Sequence, residues 1–352
     1  MFSNVHFYKP AAAAARLKDL ICVLCAILSL TGALLPAAAQ AAPAAGKCAQ
    51  VSGAQALAAA LRDKITCVQF TGADHLTAVP ALSGRLITAR GSVLTLDGAE
   101  LTVPSGTELI VRGQLQLKGT KLQLAGTLIN QGEISLDKES ALYTEPRSLF
   151  KNNGRFEAYQ AELSSAGELE NSSLFTLYGA VLRLDGEGLN QGTLSLNADA
   201  FLTLGPAASF TNRGSITAHE RSTLELTGRS RLLNQRTLQL CGLLRQRDEA
   251  QLVNYRQFSA GAASSWYLGE RSRFENQRQA ESAGQVICDE LSEFANSGTF
   301  DLQQPGVLAL KGGSTLRNQG SLRLHGRLIK DDSVQLKGKM PVDLSELELV
   351  IH

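Results

Sequence analysis

The sequence has almost no net charge with which to attract a partner: 34 Lys and Arg stand against 33 Asp and Glu, a formal net charge of +1. A chain so balanced is not a general polyanion binder, and no nucleic-acid partner is expected from it. Aromatic residues make up 5%, with one Trp and two Met, so no aromatic box or methionine-rich groove is written into the composition. Apolar runs are short. The longest lies at the N-terminus, and nothing after residue 42 is long enough to cross a bilayer, which excludes a membrane-spanning helix in the mature chain.

What the sequence does contain is a repeat. Leu128-Ile129-Asn130-Gln131-Gly132-Glu133-Ile134-Ser135-Leu136 sets a pattern that returns at Asn152, Asn171, Asn190, Asn212, Asn234, Asn254, Asn276, Asn296 and Asn318, in steps of 19 to 22 residues. Ala89 and Val111 extend it upstream as two further anchors, giving 12 turns. Large apolar residues stand two before and four after the anchor, with Gly188 the one small residue in the earlier column, and polar residues fill the places between. Such period-two alternation predicts strands. A second apolar pair follows at Leu101 and Val103, Leu202 and Leu204, Leu224 and Leu226, Trp266 and Leu268, and Leu308 and Leu310. Each turn thus carries three short strands and one apolar face that only stacking can bury. The fold class expected is all-β, a right-handed parallel β-helix of about 12 turns. A leucine-rich repeat fits less well, because the positions three before and two after the Asn hold residues such as Thr127 and Gly132 rather than Leu.

The repeat also decides how candidate site residues are read. The Asn column is expected to be structural, stacked amides bonding to one another and to turn backbone. Gly two residues later, in 8 of 12 turns, is expected to supply positive φ at a tight corner. Asp97, Asp137, Asp185, Asp199, Asp248, Asp289 and Asp301 share no column, apart from Asp185 and Asp248 in distant turns, and His75, His219, His325 and His352 are scattered. No metal, cofactor or catalytic residue is therefore expected.

Residues 1–41 carry Lys9, Arg16 and Lys18, an apolar run from Leu20 to Leu35, and the stretch Pro36 to Ala42, the pattern of a signal peptide cut after Ala41. Its removal leaves 31 basic and 32 acidic side chains. The rest divides into an N-terminal cap (42–82), the β-helix (83–330) and a C-terminal cap (331–352), which begins where Lys330-Asp331-Asp332 breaks the pattern. Within the first cap, Cys48-Ala49-Gln50-Val51 reads as a strand and Ser52 to Arg62 as a helix capped by Ser52, with Leu57 and Leu61 on one face. Lys64 to Phe70 returns as a strand.

This strand–helix–strand opening resembles that of right-handed β-helix proteins of the pectin-lyase-like superfamily. Residues 83–330 further resemble autotransporter passenger domains and haemagglutinin-like adhesins. The resemblance implies an exported protein, periplasmic, extracellular or held on the cell surface by a partner; neither a translocating barrel nor a two-partner secretion domain is recognised in the sequence. Cys48 and Cys67 flank the helix and meet an oxidising compartment, so a disulfide is expected there. Cys241 and Cys288 lie two turns apart, about 9.6 Å, and are expected to stay thiols.

One feature departs from its own repeat. Arg236, Arg256 and Arg278 replace Gly in three successive turns, and residues 207–280 hold eleven Arg, no Lys and six Asp or Glu. Like charges one strand spacing apart repel by about 0.9 kcal/mol in bulk water. A carboxylate or sulfate chain would offset that through bidentate contacts. The expectation is a non-enzymatic surface or structural protein whose Arg236, Arg256, Arg278 and Arg213 meet an acidic polysaccharide or another cell-surface partner. The alternative is a polysaccharide-active lyase or hydrolase, which carboxylates on adjacent turns would favour.

Overall fold

The computed structural model describes residues 48–339; the expected signal peptide and the residues beyond 339 lie outside the described residues. The alternation is realised almost turn by turn. Strands of four or five residues bury their second and fourth side chains and present the first and third outward, as in Thr127–Asn130, Glu133–Leu136 and Thr237–Leu240. They assemble into three parallel sheets. Sheet A has 15 strands from Ala49–Val51 to Gln335–Gly338, sheet B has 13 from Ala73–Leu76 to Ser321–Leu324, and sheet C has 12 from Glu100–Val103 to Arg327–Lys330. From Glu108–Val111 onward each strand pairs with those one turn before and one turn after it. The result is an all-β parallel solenoid of about 14 turns, slightly longer than the 12 expected, with one helix among the described residues. Strand Cys67–Phe70 precedes the first predicted turn and Gln335–Gly338 follows the last. Lys330-Asp331-Asp332, read as a break, is a corner: Asp331 accepts the Gly312 N–H at 3.0 Å, and sheet A resumes with Asn318 beside Gly338.

The core is one continuous column of inward side chains, because each turn supplies the floor for the next. Phe258, Trp266, Phe274, Phe294 and Phe300 form its densest part, with ring centroids 4.5 to 5.7 Å apart. Trp266 would bury an indole N–H there without a partner, and Gln246, between Leu226 and Leu268 of the neighbouring turns, takes that proton at 3.2 Å. Gly188 is small for a packing reason: a Cβ on it would come within 2.1 Å of the Phe210 ring.

At the N-terminal end helix α1 (Ala54–Arg62) lays Leu57, Ala60 and Leu61 on the first turns and covers part of the otherwise open edge. Its cap differs from expectation. Gly53, not Ser52, occupies the capping position, and the Ala54 N–H is taken by the Asp74 carboxylate from strand Ala73–Leu76 at 2.5 Å. Bonds from Ala54 and His75 backbone hold the Asp74 carboxyl below its usual range. Cys48 and Cys67 are joined by a disulfide, Cα atoms 4.7 Å apart.

The first predicted turn also shifts. Thr88, not Ala89, lies beside Val111 in the anchor column, and Leu86 and Leu94, not Ile87 and Val93, continue the apolar columns. The corner Ala89–Ser92 is a four-residue turn closed by Ser92 N–H to Ala89 carbonyl at 3.1 Å, where later turns use two residues, and the longer corner absorbs the offset.

Candidate functional site

Three corners join the sheets, and the corner from A to B holds both the Asn column and the Arg residues. Its inner side is a ladder. From Asn130 to Asn296 each Asn donates one Nδ2 proton to the Oδ1 of the Asn one turn on, at 2.7 to 2.8 Å, the last acceptor being Asn318. The other proton goes to a backbone carbonyl at the start of the next sheet B strand, such as Thr237 O from Asn212 at 2.7 Å or Gln257 O from Asn234 at 2.7 Å. In several turns Oδ1 also accepts an N–H from its own corner, as with Gly214 and Asn212 at 3.2 Å. These side chains are buried, and the ladder is the reason they can be, since an unmatched buried amide costs about 1–3 kcal/mol. Above Asn130 the column passes through Val111 to Thr88, whose hydroxyl accepts the Arg112 N–H at 3.2 Å and so does part of the same work.

The Gly of this corner serves close approach rather than left-handed backbone. Gly132, Gly154, Gly192, Gly214, Gly298 and Gly320 are not among the positive-φ residues, whereas Gly91, in the four-residue corner, has φ +78°. A Cβ at Gly214 would lie 2.0 Å from the Gly192 carbonyl oxygen, and one at Gly298 would lie 2.1 Å from that of Arg278.

Arg236, Arg256 and Arg278 occupy the outside of this corner. They are exposed, also lack positive φ, and are aligned by the register of Asn234, Asn254 and Asn276 beneath them. No left-handed strain is stored there, contrary to the reading of these positions as ones that want positive φ. Among the described residues none of the three has a carboxylate within salt-bridge distance, although Arg is paired elsewhere in the same turns: Arg229 with Glu249 at 3.0 Å and Arg273 with Glu275 at 3.1 Å. Arg213 is not in the row. It sits one position earlier in its corner, donates to the Gln235 Oε1 at 3.0 Å, and borders an open hollow with Glu168 and Glu187. Tyr255 and the amides of Gln235 and Gln277 stand beside the row, all exposed.

Other candidates separate differently. Cys241 and Cys288 form no disulfide, and burial pushes the Cys288 thiol upward. Among the described residues no group of three or more His, Cys, Asp and Glu is placed to hold a metal. Acids do fall on adjacent turns once Glu is considered with Asp: Glu168 and Glu187 are register partners in sheet A, and Asp248, Glu270 and Glu290 follow one another along the corner from sheet C to A. Glu281 and Asp301 are register partners in sheet B, burial and the Asp301 charge raise the Glu281 carboxyl, and His325 lies 3.8 Å from Asp301. Counting Glu together with Asp at five residues past the anchor would have found that pair.

Among the described residues no helix is long and apolar enough to cross a membrane. Neither a curated protein nor a solved structure matches the chain. A family model described as the BigA fourth domain matches residues 91–324, the greater part of the solenoid, and the chain belongs to that family.

Proposed function

We propose that this protein is an exported, adhesin-like β-helix that presents its solenoid surface to acidic glycans, with Arg236, Arg256 and Arg278 as the contact row. The observation carrying the reading is that these three guanidinium groups lie on successive turns, exposed and without an ionic partner among the described residues. Guanidinium forks at one strand spacing suit a polymer with repeated carboxylate or sulfate groups, each contact being charge-assisted and bidentate. Export is supported by the N-terminal sequence and by the Cys48–Cys67 disulfide, which needs an oxidising compartment to persist. The likeness to the pectin-lyase-like superfamily belongs to the same reading, as does attachment through a surface partner.

The test is binding of the purified protein to heparin or polygalacturonate at low and high salt, beside the variant R236G/R256G/R278G. Binding should weaken with salt and fall at least tenfold in the variant, which carries the repeat's own residue and should keep its melting point. Equal binding by variant and parent would reduce the row to a solvated face. A second reading, polysaccharide cleavage, is favoured by Glu281 with Asp301 and by Glu168 with Glu187, each pair on adjacent strands. Unchanged polymer length after prolonged incubation would remove it.

A further inference from the structure

The outward faces of the three sheets differ in a way that the Arg row makes informative. In sheet B five successive strands, Leu174–Tyr178, Thr193–Asn197, Ser215–Ala218, Thr237–Leu240 and Gln257–Ala260, contain no Asp, Glu, Lys or Arg. Sheet A in the same turns carries Glu168, Glu170, Glu187 and Arg231, and sheet C carries Arg183, Glu225 and Arg245. The uncharged strip has charged boundaries at both ends: Arg155 and Glu157 in the strand before it, Glu281 in the strand after it. It spans about 19 Å along the solenoid at the usual strand spacing.

Apart from Leu174, its outward side chains carry hydroxyls or amides. The row nearest the Arg corner reads Leu174, Thr193, Ser215, Thr237 and Gln257, in register from strand to strand. Among the described residues Thr193, Ser215, Thr237 and Gln257 make no side-chain hydrogen bond, so their donors and acceptors face outward unused. Arg236 and Arg256 immediately precede Thr237 and Gln257 and so border this strip, while Arg278 precedes Gln279 in the strand just beyond it.

A surface with no charge of its own cannot pair with acidic groups, and one made of hydroxyls and amides is poorly suited to an apolar partner. It suits a chain that carries hydroxyls. Resting on the reading of the Arg row as anion-binding, we propose that sheet B between Leu174 and Gln257 is the floor of the same site, and that its ligand class is the hydroxyl-bearing acidic polysaccharide rather than polyanions in general. The polymer runs along the solenoid. Its acidic groups lie on Arg236, Arg256 and Arg278, and its hydroxyls exchange water for Thr193, Ser215, Thr237 and Gln257.

The experiment compares polygalacturonate with poly-L-glutamate, which offers the same carboxylate without sugar hydroxyls, at matched charge concentration. The parent protein should bind polygalacturonate about tenfold more tightly, the gain expected from a few added neutral hydrogen bonds. The variant T193V/S215A/T237V should bring the two polymers within about threefold of each other while leaving polyglutamate binding unchanged. A control pair on sheet A, S209A/T211V, should keep the preference. Should the hydroxyl variant fold poorly, the parent alone decides: raising salt from about 0.05 M to about 0.5 M should abolish polyglutamate binding and leave measurable polygalacturonate binding. Equal affinity of the parent for both polymers, or an undiminished preference in the folded hydroxyl variant, overturns the floor and leaves the Arg row standing. Failure of the parent to bind either polymer at low salt overturns the Arg row itself.

Discussion

The corner from sheet A to B and the corner from sheet C to A solve one problem in opposite ways. Each must satisfy backbone donors where the chain bends, turn after turn. The first does so with buried neutral amides, the Asn ladder. The second uses exposed carboxylates: Asp248 accepts the Gly228 N–H at 2.6 Å, Glu270 accepts that of Asp248 at 2.8 Å, and Glu290 accepts that of Glu270 at 2.5 Å. Its capping residues also sit in left-handed backbone, with φ +57° at Asp248, +55° at Glu270 and +56° at Glu290. A carboxylate staircase accumulates charge, and the residues next to it in the same corner form ion pairs, Lys311 with Asp289 at 2.9 Å and Arg229 with Glu249 at 3.0 Å. The amide ladder accumulates none. Its outer surface can therefore carry Arg with nothing opposite, and that is where the candidate site lies.

The comparison is broken most severely by removing a rung of the ladder. Asn234→Ala strands the Asn212 amide proton in a buried position and takes a donor from Asn254, and should cost about 3 kcal/mol in urea unfolding. An unchanged midpoint would show that water replaces the rung and that burial of the amides is not what stabilises this corner. At the other corner Glu270→Ala removes one exposed cap but keeps the left-handed residue, for an expected loss of about 1 kcal/mol. Glu270→Gly should recover most of it by relieving the backbone. If Glu270→Ala cost as much as Asn234→Ala, the two corners would be equivalent after all.

The third corner, from B to C, holds an intermediate case that sharpens the contrast. His219 is partly buried, and burial lowers its pKa from the ordinary 6.5. The unfolded chain then takes up a proton near pH 6.5 that the folded chain refuses, so stability should decline as pH falls through 6.5 toward the folded value and level off below it. His219→Gln should flatten that decline between about pH 7 and 5.5. A parent whose unfolding midpoint does not move over that range would mean the imidazole is as well solvated folded as unfolded.

The inward residues were legible because stacking forces them to repeat: Leu128, Phe150 and Leu169 can be read as one column from their spacing alone. The corners were less legible. Their length varies, so the extra residues between Thr88 and Leu94 moved the first register by one, and the Asn130 spacing could not reveal it. The Asp74 cap on helix α1 comes from 20 residues away, where no local pattern points to it. The Arg row was visible as a departure from Gly, but the reason Gly is used, a carbonyl of the turn before, exists only once turns are stacked. The uncharged strip of sheet B was equally hidden, since its members are separated by about 20 residues in the chain.

The Asn ladder has one further property, which is direction. Every rung gives its proton toward the C-terminal side and receives from the N-terminal side, until Asn318 hands its last proton to the Lys339 carbonyl at 2.6 Å. Interior turns are thus interchangeable modules, each with an acceptor on one side and a donor on the other, and duplication or loss of a whole turn leaves the connection intact. The two ends are not interchangeable. Val111 closes one without asking for a proton, and a backbone oxygen must close the other, so length can drift between fixed, unlike termini.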